Sequence, residues 1–180
     1  MKKILALICI FLAGCAATSV PPQYTLDQKK GKGLVIMSLR QVNAPGLAFP
    51  PLVVNYRKIG DLIDIDNGLF ADRGGIPIHG NESIRLHAFE LDPGEYEFHK
   101  VWAGAPGVGT TFSSIKPFAA RFKVESGRAV YAGMLEFRVW SSSNYSVHVI
   151  DRQDRDLGVF AENWRAVPRD RIDVKLFADR

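Results

Sequence analysis

Hydrophobic and polar residues alternate in short segments along most of the chain, and glycine, proline and aspartate separate these segments. Alternation with a period of two sends successive side chains to opposite faces of an extended strand. It predicts strands at residues 33–41, 52–58, 145–150 and 171–177. Many short strands between turn residues are typical of a β-sandwich or a barrel. The pattern therefore predicts a mainly β domain, either an antiparallel β-sandwich or a barrel.

Two pairs of neighbouring segments are predicted to form β-hairpins, at residues 84–103 and 118–140. Asp92-Pro93-Gly94-Glu95 is the turn of the first, and Ser126-Gly127 is the turn of the second. The resulting cross-strand pairs are Phe89 with Phe98 and Phe122 with Tyr131. Because a slip by one residue would mix polar and aromatic side chains on one face, this segregation favours the register.

One segment near the C-terminus changes to a helical period. Apolar residues recur there at spacings of three or four, namely Leu157, Phe160, Ala161 and Trp164. Asp151 can cap the start of a helix, and Pro168 limits its end. The sequence therefore predicts one short amphipathic helix that packs against the sandwich.

The N-terminus has the three parts of a secretion signal. Lys2 and Lys3 precede an uncharged apolar run at residues 4–13, and Gly14-Cys15 follows it. A run of about ten apolar residues is too short for a hydrocarbon core that needs about twenty. Residues 1–14 are therefore predicted to be a cleaved signal peptide.

Leu12-Ala13-Gly14-Cys15 resembles the lipobox of bacterial lipoproteins. The resemblance implies that Leu12, Ala13 and Gly14 are recognised by the signal peptidase, which cleaves before Cys15. Cys15 then carries diacylglycerol on its thiol and a fatty acid such as palmitate on its new amino group. Several acyl chains anchor a protein stably where one does not. Ala16, in place of an acidic residue, favours the outer membrane over the inner; an ordinary secretion signal with an incidental Cys15 is the alternative.

Charge and cysteine content restrict the possible partners. Cleavage removes Lys2 and Lys3, which lowers the formal net charge of +4 by two, and no basic cluster remains. A nucleic-acid partner is therefore not expected. Cys9 leaves with the signal and Cys15 carries the lipid, so disulfides, cysteine metal sites and cysteine nucleophiles are not expected. No cofactor is predicted.

The mature chain divides into a tether and one domain. Residues 15–32 hold the lipidated Cys15 and a polar, proline-containing stretch without periodicity. We expect a flexible tether there, about 50 Å long when extended. Residues 33–180 are predicted to be a single β-sandwich domain, which suits the size of the remaining chain.

Several strand-and-turn motifs resemble a known family. They are FELDPGEYEF at residues 89–98, FKVESG at 122–127, VYAG at 130–133, DR at 151–152 and RDL at 155–157. The chain is similar in these motifs to uncharacterised proteobacterial lipoproteins of the domain-of-unknown-function family 2846. That resemblance implies a transthyretin-like or carboxypeptidase-regulatory-like sandwich. It implies no catalytic residues.

Candidate chemistry is sparse. The four histidines, His79, His87, His99 and His148, are predicted to be isolated surface or edge residues, because the hairpin register separates His87 from His99. No metal site or catalytic residue is therefore predicted. Gly-x-Ser-x-Gly does not occur, and the glycine-rich residues 104–109 lack the Lys-Ser/Thr ending of a phosphate loop.

Two long loops, at residues 66–82 and 103–117, are the candidate binding surfaces. Leu69, Phe70 and Phe112 are apolar in these loops, so they are candidate partner contacts. The alternative is that they pack into the core. Trp102, Trp140 and Trp164 could line a ligand cavity, although filling the core is the ordinary role of tryptophan.

These observations predict a membrane-anchored envelope lipoprotein that is a non-enzymatic structural or protein-binding module. Its partners would be the membrane, through the lipid on Cys15, and another envelope protein, which it would meet through loops or a sheet edge. The alternative is a periplasmic hydrolase or carbohydrate-processing enzyme.

Overall fold

The computed structural model describes residues 19–46, 52–61, 67–71, 74–78, 81–103, 118–141 and 144–178. Within these residues the strands are β1 (Gly33–Asn43), β2 (Leu52–Lys58), β3 (Asn67–Phe70), β4 (Ile76–Ile78), β5 (Asn81–Leu91), β6 (Gly94–Ala103), β7 (Ala120–Val124), β8 (Ala129–Ser141), β9 (Asn144–Ile150) and β10 (Ile172–Val174). They form two sheets, and one helix, α1 (Gln153–Asn163), lies near the C-terminus. The predicted mainly β sandwich with a C-terminal helix is confirmed.

The larger sheet, sheet A, has the strand order β10-β8-β1-β5-β4, and β9 also pairs with β8. Two of its pairs, β1 with β8 and β10 with β8, are parallel. The smaller sheet, sheet B, has the order β3-β2-β6-β7 and is antiparallel. The prediction of a wholly antiparallel sandwich is therefore wrong for sheet A.

Neither predicted hairpin forms. β5 pairs with β1 and β4 in sheet A, whereas the next strand, β6, pairs with β2 and β7 in sheet B. β7 and β8 are likewise in different sheets. Phe89 and Phe98 do face the same core, as expected, but from opposite sheets. The alternation of apolar residues is the same in both arrangements, because each inward face is buried by the other sheet.

Aromatic side chains fill the core between the sheets. Tyr56 lies 5.4 Å, between ring centroids, from both Phe89 and Phe98. Phe177, which follows β10, packs edge-on against Phe98 and Phe122 at 5.6 and 5.7 Å. The residue after it, Ala178, exchanges backbone hydrogen bonds with Arg121 of β7. The C-terminal segment thus joins sheet A to sheet B along one side.

A second core lies on the opposite face of sheet A, which we call the helix-side face. α1 packs there, with the Phe160 and Trp164 rings stacked at 5.1 Å and Trp164 1% exposed. Asp151 accepts a hydrogen bond from the backbone N–H of Gln153 at 2.9 Å, but the N-cap residue is Arg152, so the predicted cap lies one residue too early. No helix among the described residues is long and apolar enough to cross a membrane.

The segment before β1 packs on this face as well. Tyr24 and Leu26 are each 7% exposed, and the Tyr24 hydroxyl donates to Glu90 at 2.8 Å. Val20 accepts a hydrogen bond from the Trp164 indole N–H at 3.0 Å. The prediction of a tether that continues to residue 32 is therefore wrong from Ser19 onward. These residues lack periodicity because they follow the surface of the sheet as an irregular segment.

Candidate functional site

The helix-side face of sheet A has a covered end and an open end. Every second side chain of β1 and β8 points to this face, and α1 covers the end that includes Leu34 and Ile36. Further along the same strands the face carries Arg40, Arg138 and Trp140, which are partly exposed. Each end contains one buried carboxylate.

Asp156 of α1 is the carboxylate of the covered end, and it is fully buried. Ser38 and Tyr131 donate hydrogen bonds to its Oδ2 at 2.7 and 2.9 Å, and Arg155 donates to its Oδ1 at 2.8 Å through Nε. Burial, together with the charge of Asp156 and the hydrogen bond to it, raises the pKa of Tyr131 far above its ordinary value. Tyr131 therefore stays a neutral donor. Because its partners come from β1, β8 and α1, this cluster holds the helix on the sheet.

Glu136 of β8 supplies the carboxylate of the open end and is 2% exposed. Arg40 donates from Nη1 to its Oε2 at 2.9 Å, and Arg138 donates from Nε to its Oε1 at 2.7 Å. Burial alone would raise the pKa of Glu136, but the hydrogen bonds and charges of the two arginines bring it below the ordinary value. The carboxylate is therefore ionised, and both of its oxygens have a donor.

A groove of about 300 Å³ opens beside this carboxylate. The residues that give it its chemistry are Arg40, Asn43, Pro45, Glu136, Arg138 and Trp140. We call it the Trp140 groove. Trp140 is 45% exposed, and the side chains of Arg40 and Arg138 are 33% and 54% exposed. An indole ring and two guanidinium groups are therefore exposed to solvent in the groove.

The outer face of sheet B carries a second glutamate between two arginines. Arg57 donates to Glu97 Oε1 at 2.8 Å, and Arg121 donates to Oε2 at 3.3 Å. Burial raises the pKa of Glu97, but hydrogen bonds from both arginines outweigh this and lower it. The three residues lie on neighbouring strands, β2, β6 and β7. This Arg57 cluster is chemically matched to the charged part of the Trp140 groove, so it serves as an internal control.

The histidines do not form one site. His87 is 1% exposed, so the prediction of a surface or edge residue is wrong for it. It is buried because β5 lies between β1 and β4 inside sheet A. His148 is exposed, as predicted, and His79 lies outside the described residues. In the described part of the chain no group of three His, Cys, Asp or Glu residues could hold a metal ion.

Ser146 and His148 form the nearest approach to a nucleophile and base. Ser146 Oγ lies 2.7 Å from His148 Nε2 on the exposed side of β9. The carboxylate on the adjacent strand is Glu136, but its two oxygens accept from arginines. A nucleophile–base pair needs a third group that orients the base. Among the described residues, none hydrogen-bonds the other ring nitrogen of His148.

The predicted contact residues have different outcomes. Leu69 is 1% exposed and belongs to the core between the sheets, so the core alternative holds for it. The Phe70 side chain and Phe112 lie outside the described residues, as do Leu12, Ala13, Gly14 and Cys15 of the lipobox. Sequence reasoning missed the Trp140 groove. The available signal was that Trp140 shares its alternation with the polar Glu136 and Arg138.

No family model matches the sequence, and no curated protein matches it. The motif resemblance at residues 89–98 and 122–127 therefore stays a prediction.

Proposed function

We propose that this protein is a lipid-anchored envelope protein that binds another envelope protein along the free edge of β9. The observation that carries the proposal is the composition of this edge strand. β9 is seven residues long and contains no Lys, Arg, Asp, Glu or Pro. Among the described strands it pairs only with β8. An uncharged edge strand of this length is a template for pairing with another chain.

The other edge strands are protected in ordinary ways. β4 has three residues and contains Pro77, which has no N–H to donate. β10 also has three residues, and Asp173 in it is paired with Arg128 at 2.6 Å. β7 contains Arg121 and Lys123, and Ala178 already pairs with it. β3, the other edge of sheet B, has only four residues, against seven in β9. Short, charged or covered edges resist strand addition, so β9 is the exception among the described edge strands.

The side chains of β9 suit an added strand. Tyr145, Val147 and Val149 are half-buried and pack at the border of the core between the sheets. A strand placed beside β9 would cover the remaining apolar surface of these residues. In strand addition, backbone hydrogen bonds supply affinity and the alternate side chains supply specificity. The partner we propose is therefore a protein that contributes an extended, apolar segment.

The packed N-terminal segment limits the distance between the sandwich and a membrane that holds a lipid on Cys15. The first described residues, Ser19 and Val20, dock on sheet A, where the Val20 N–H donates to Ala88 at 2.7 Å. Cys15 is four residues before Ser19, which allows a separation of about 14 Å at most. If Cys15 carries lipid, the sandwich is held close to the membrane surface. The partner would then be a protein of the same membrane or one that reaches its surface.

Mass spectrometry of the mature protein tests the anchor. We expect an N-terminal peptide that begins at Cys15 and carries diacylglycerol and an amide-linked fatty acid. The matched variant is Cys15→Ser, which we expect to leave the membrane fraction. A mature N-terminus at another residue, or an unmodified Cys15, would contradict the proposal.

Site-specific photo-crosslinking in cells tests the edge. A photoreactive amino acid at His148 of β9 should yield one defined adduct with an envelope protein, and the same group at Lys123 of β7 should not. We expect Ser146→Lys to remove the adduct, because a charge on an edge strand opposes pairing. Equal adducts from His148 and Lys123, an adduct between two copies of this chain, or an adduct insensitive to Ser146→Lys would contradict it.

A further inference from the structure

The Trp140 groove has hydrogen-bond donors for which the described residues offer no acceptor. A guanidinium carries several N–H groups in a fixed plane. Glu136 takes the Arg40 Nη1 and Arg138 Nε groups. Arg40 Nε is buried and has no partner among the described residues. A ligand in the groove can reach guanidinium N–H groups only where the arginine side chains are exposed, which is 33% of Arg40 and 54% of Arg138.

The charge balance of the groove favours an anion. Two arginines face one carboxylate, and both oxygens of that carboxylate already accept hydrogen bonds. The groove residues therefore carry a net positive charge and have spare N–H groups. Guanidinium groups bind carboxylates and phosphates with charge-assisted hydrogen bonds, often in pairs. A ligand for this site needs one such group.

The exposed indole of Trp140 indicates that the ligand also contains a ring. Its indole is 45% exposed, although tryptophan side chains normally bury their large apolar surface. The groove of about 300 Å³ is at the lower end of the size of small-molecule sites. It therefore accommodates one small ring beside the indole together with an anionic substituent.

We propose that the Trp140 groove binds an acidic saccharide. The apolar C–H face of the sugar ring stacks on Trp140, and its carboxylate or phosphate accepts hydrogen bonds from Arg40 and Arg138. An extended polyanion such as nucleic acid would meet only these two cations, which gives little electrostatic affinity. This site is on the face of the sheet, so it is independent of strand addition at β9.

Titration calorimetry on the full chain in detergent micelles tests the ligand class. The probes are D-glucuronic acid, D-glucose 6-phosphate, neutral D-glucose and inorganic phosphate. We expect at least one acidic sugar to bind about ten-fold or more tightly than glucose and inorganic phosphate. The carboxylate and phosphate probes then distinguish the two kinds of acidic sugar. No binding of either, equal binding of glucose, or equal binding of inorganic phosphate would overturn the proposal.

Single substitutions test whether the acidic sugar binds in the Trp140 groove. Trp140→Ala and Arg138→Gln should each weaken binding of the acidic sugar by about ten-fold or more, and Trp140→Phe should retain most of it. The matched control is Arg57→Gln, which changes the same kind of arginine in the Arg57 cluster and should leave affinity unchanged. Circular dichroism of every variant checks the fold. An Arg57→Gln effect as large as that of Arg138→Gln, or full affinity in folded Trp140→Ala, would overturn the proposal.

Discussion

The covered and open ends of the helix-side face contain the same kinds of residue in different roles. At the covered end, Trp164 is 1% exposed and Asp156 is fully buried, and both hold α1 or the N-terminal segment on sheet A. At the open end, Trp140 is 45% exposed, and Glu136 is buried only beneath two arginines that themselves reach water. Each end thus combines a tryptophan, a carboxylate and arginine.

The two ends differ in whether another element covers the sheet. This coverage, and not the residue types, determines whether the residues serve stability or ligand binding. Where a helix lies over the sheet, Oδ2 of Asp156 joins α1 to β1 and β8, so the loss of this carboxylate should appear as lost stability. Where no described element covers the sheet, the arginines keep donors in excess, so their loss should appear mainly as lost binding.

The largest effect is expected for Trp164→Ala. Removal of this fully buried ring leaves a cavity beneath α1 and takes away the indole donor of Val20. We expect a loss of about 4 kcal/mol in the free energy of unfolding, measured by urea denaturation of the full chain. A loss no larger than that of Trp140→Ala would remove the distinction between the two ends.

Asp156→Ala should have the next largest effect. It leaves the hydroxyls of Ser38 and Tyr131 without their acceptor inside the protein. We expect a loss of about 3 kcal/mol, because buried donors without partners carry their full desolvation cost. The control is Asp154→Ala, an exposed carboxylate on the same helix, which should cost below about 1 kcal/mol. Equal losses in the two variants would show that the buried cluster does not hold the helix.

Glu136→Gln should have a smaller effect that depends on pH. The pKa of Glu136 is lowered in the folded protein from an ordinary value of 4.5, so its ionised form stabilises the fold above that pH. This contribution is lost as pH falls from about 4.5 through the lowered pKa of the folded state. At pH 7 we expect a loss of about 1.5 kcal/mol, since the arginines are partly exposed.

Urea titrations from pH 7 to pH 3 measure this dependence. The stability of Glu136→Gln should fall less steeply with acid than that of the unsubstituted protein. Glu97 and Asp173 also have lowered pKa values, so part of the acid dependence should remain. An unchanged acid dependence in Glu136→Gln would show that Glu136 does not contribute to it.

The smallest effect on stability is expected for Trp140→Ala. Because the ring is 45% exposed, its removal should change the free energy of unfolding by less than about 1 kcal/mol. The measurement is the thermal unfolding of Trp140→Ala, compared with that of Trp164→Ala. A change as large as that of Trp164→Ala would mean that Trp140 supports the fold, and its exposure would no longer argue for a ligand.

The two predicted hairpins show which part of the fold the local pattern could not predict. Alternation correctly placed Phe89, Phe98 and Phe122 in one core, but it wrongly put Tyr131 on the same face as Phe122, because Tyr131 lies in the core beneath α1. It assigned the wrong partners, because a strand that crosses to the opposite sheet shows the same alternation as one that turns back beside its neighbour. One partner of β5 is β1, which lies more than forty residues earlier, and the local pattern contains no information about so distant a pairing.

The sequence by itself determined the mainly β class, the bounds of β2 and the helical segment near the C-terminus, because each follows from the local period of apolar residues. For the same reason it determined that Phe89, Phe98 and Phe122 are buried. Only the tertiary structure decided that β1 and β8 are parallel neighbours, that residues 19–26 pack on the sheet and that His87 is buried. It also decided that Trp140 is open while Trp164 is covered. These outcomes depend on which distant segment lies over each surface, and burial against a distant segment is a property of the folded chain alone.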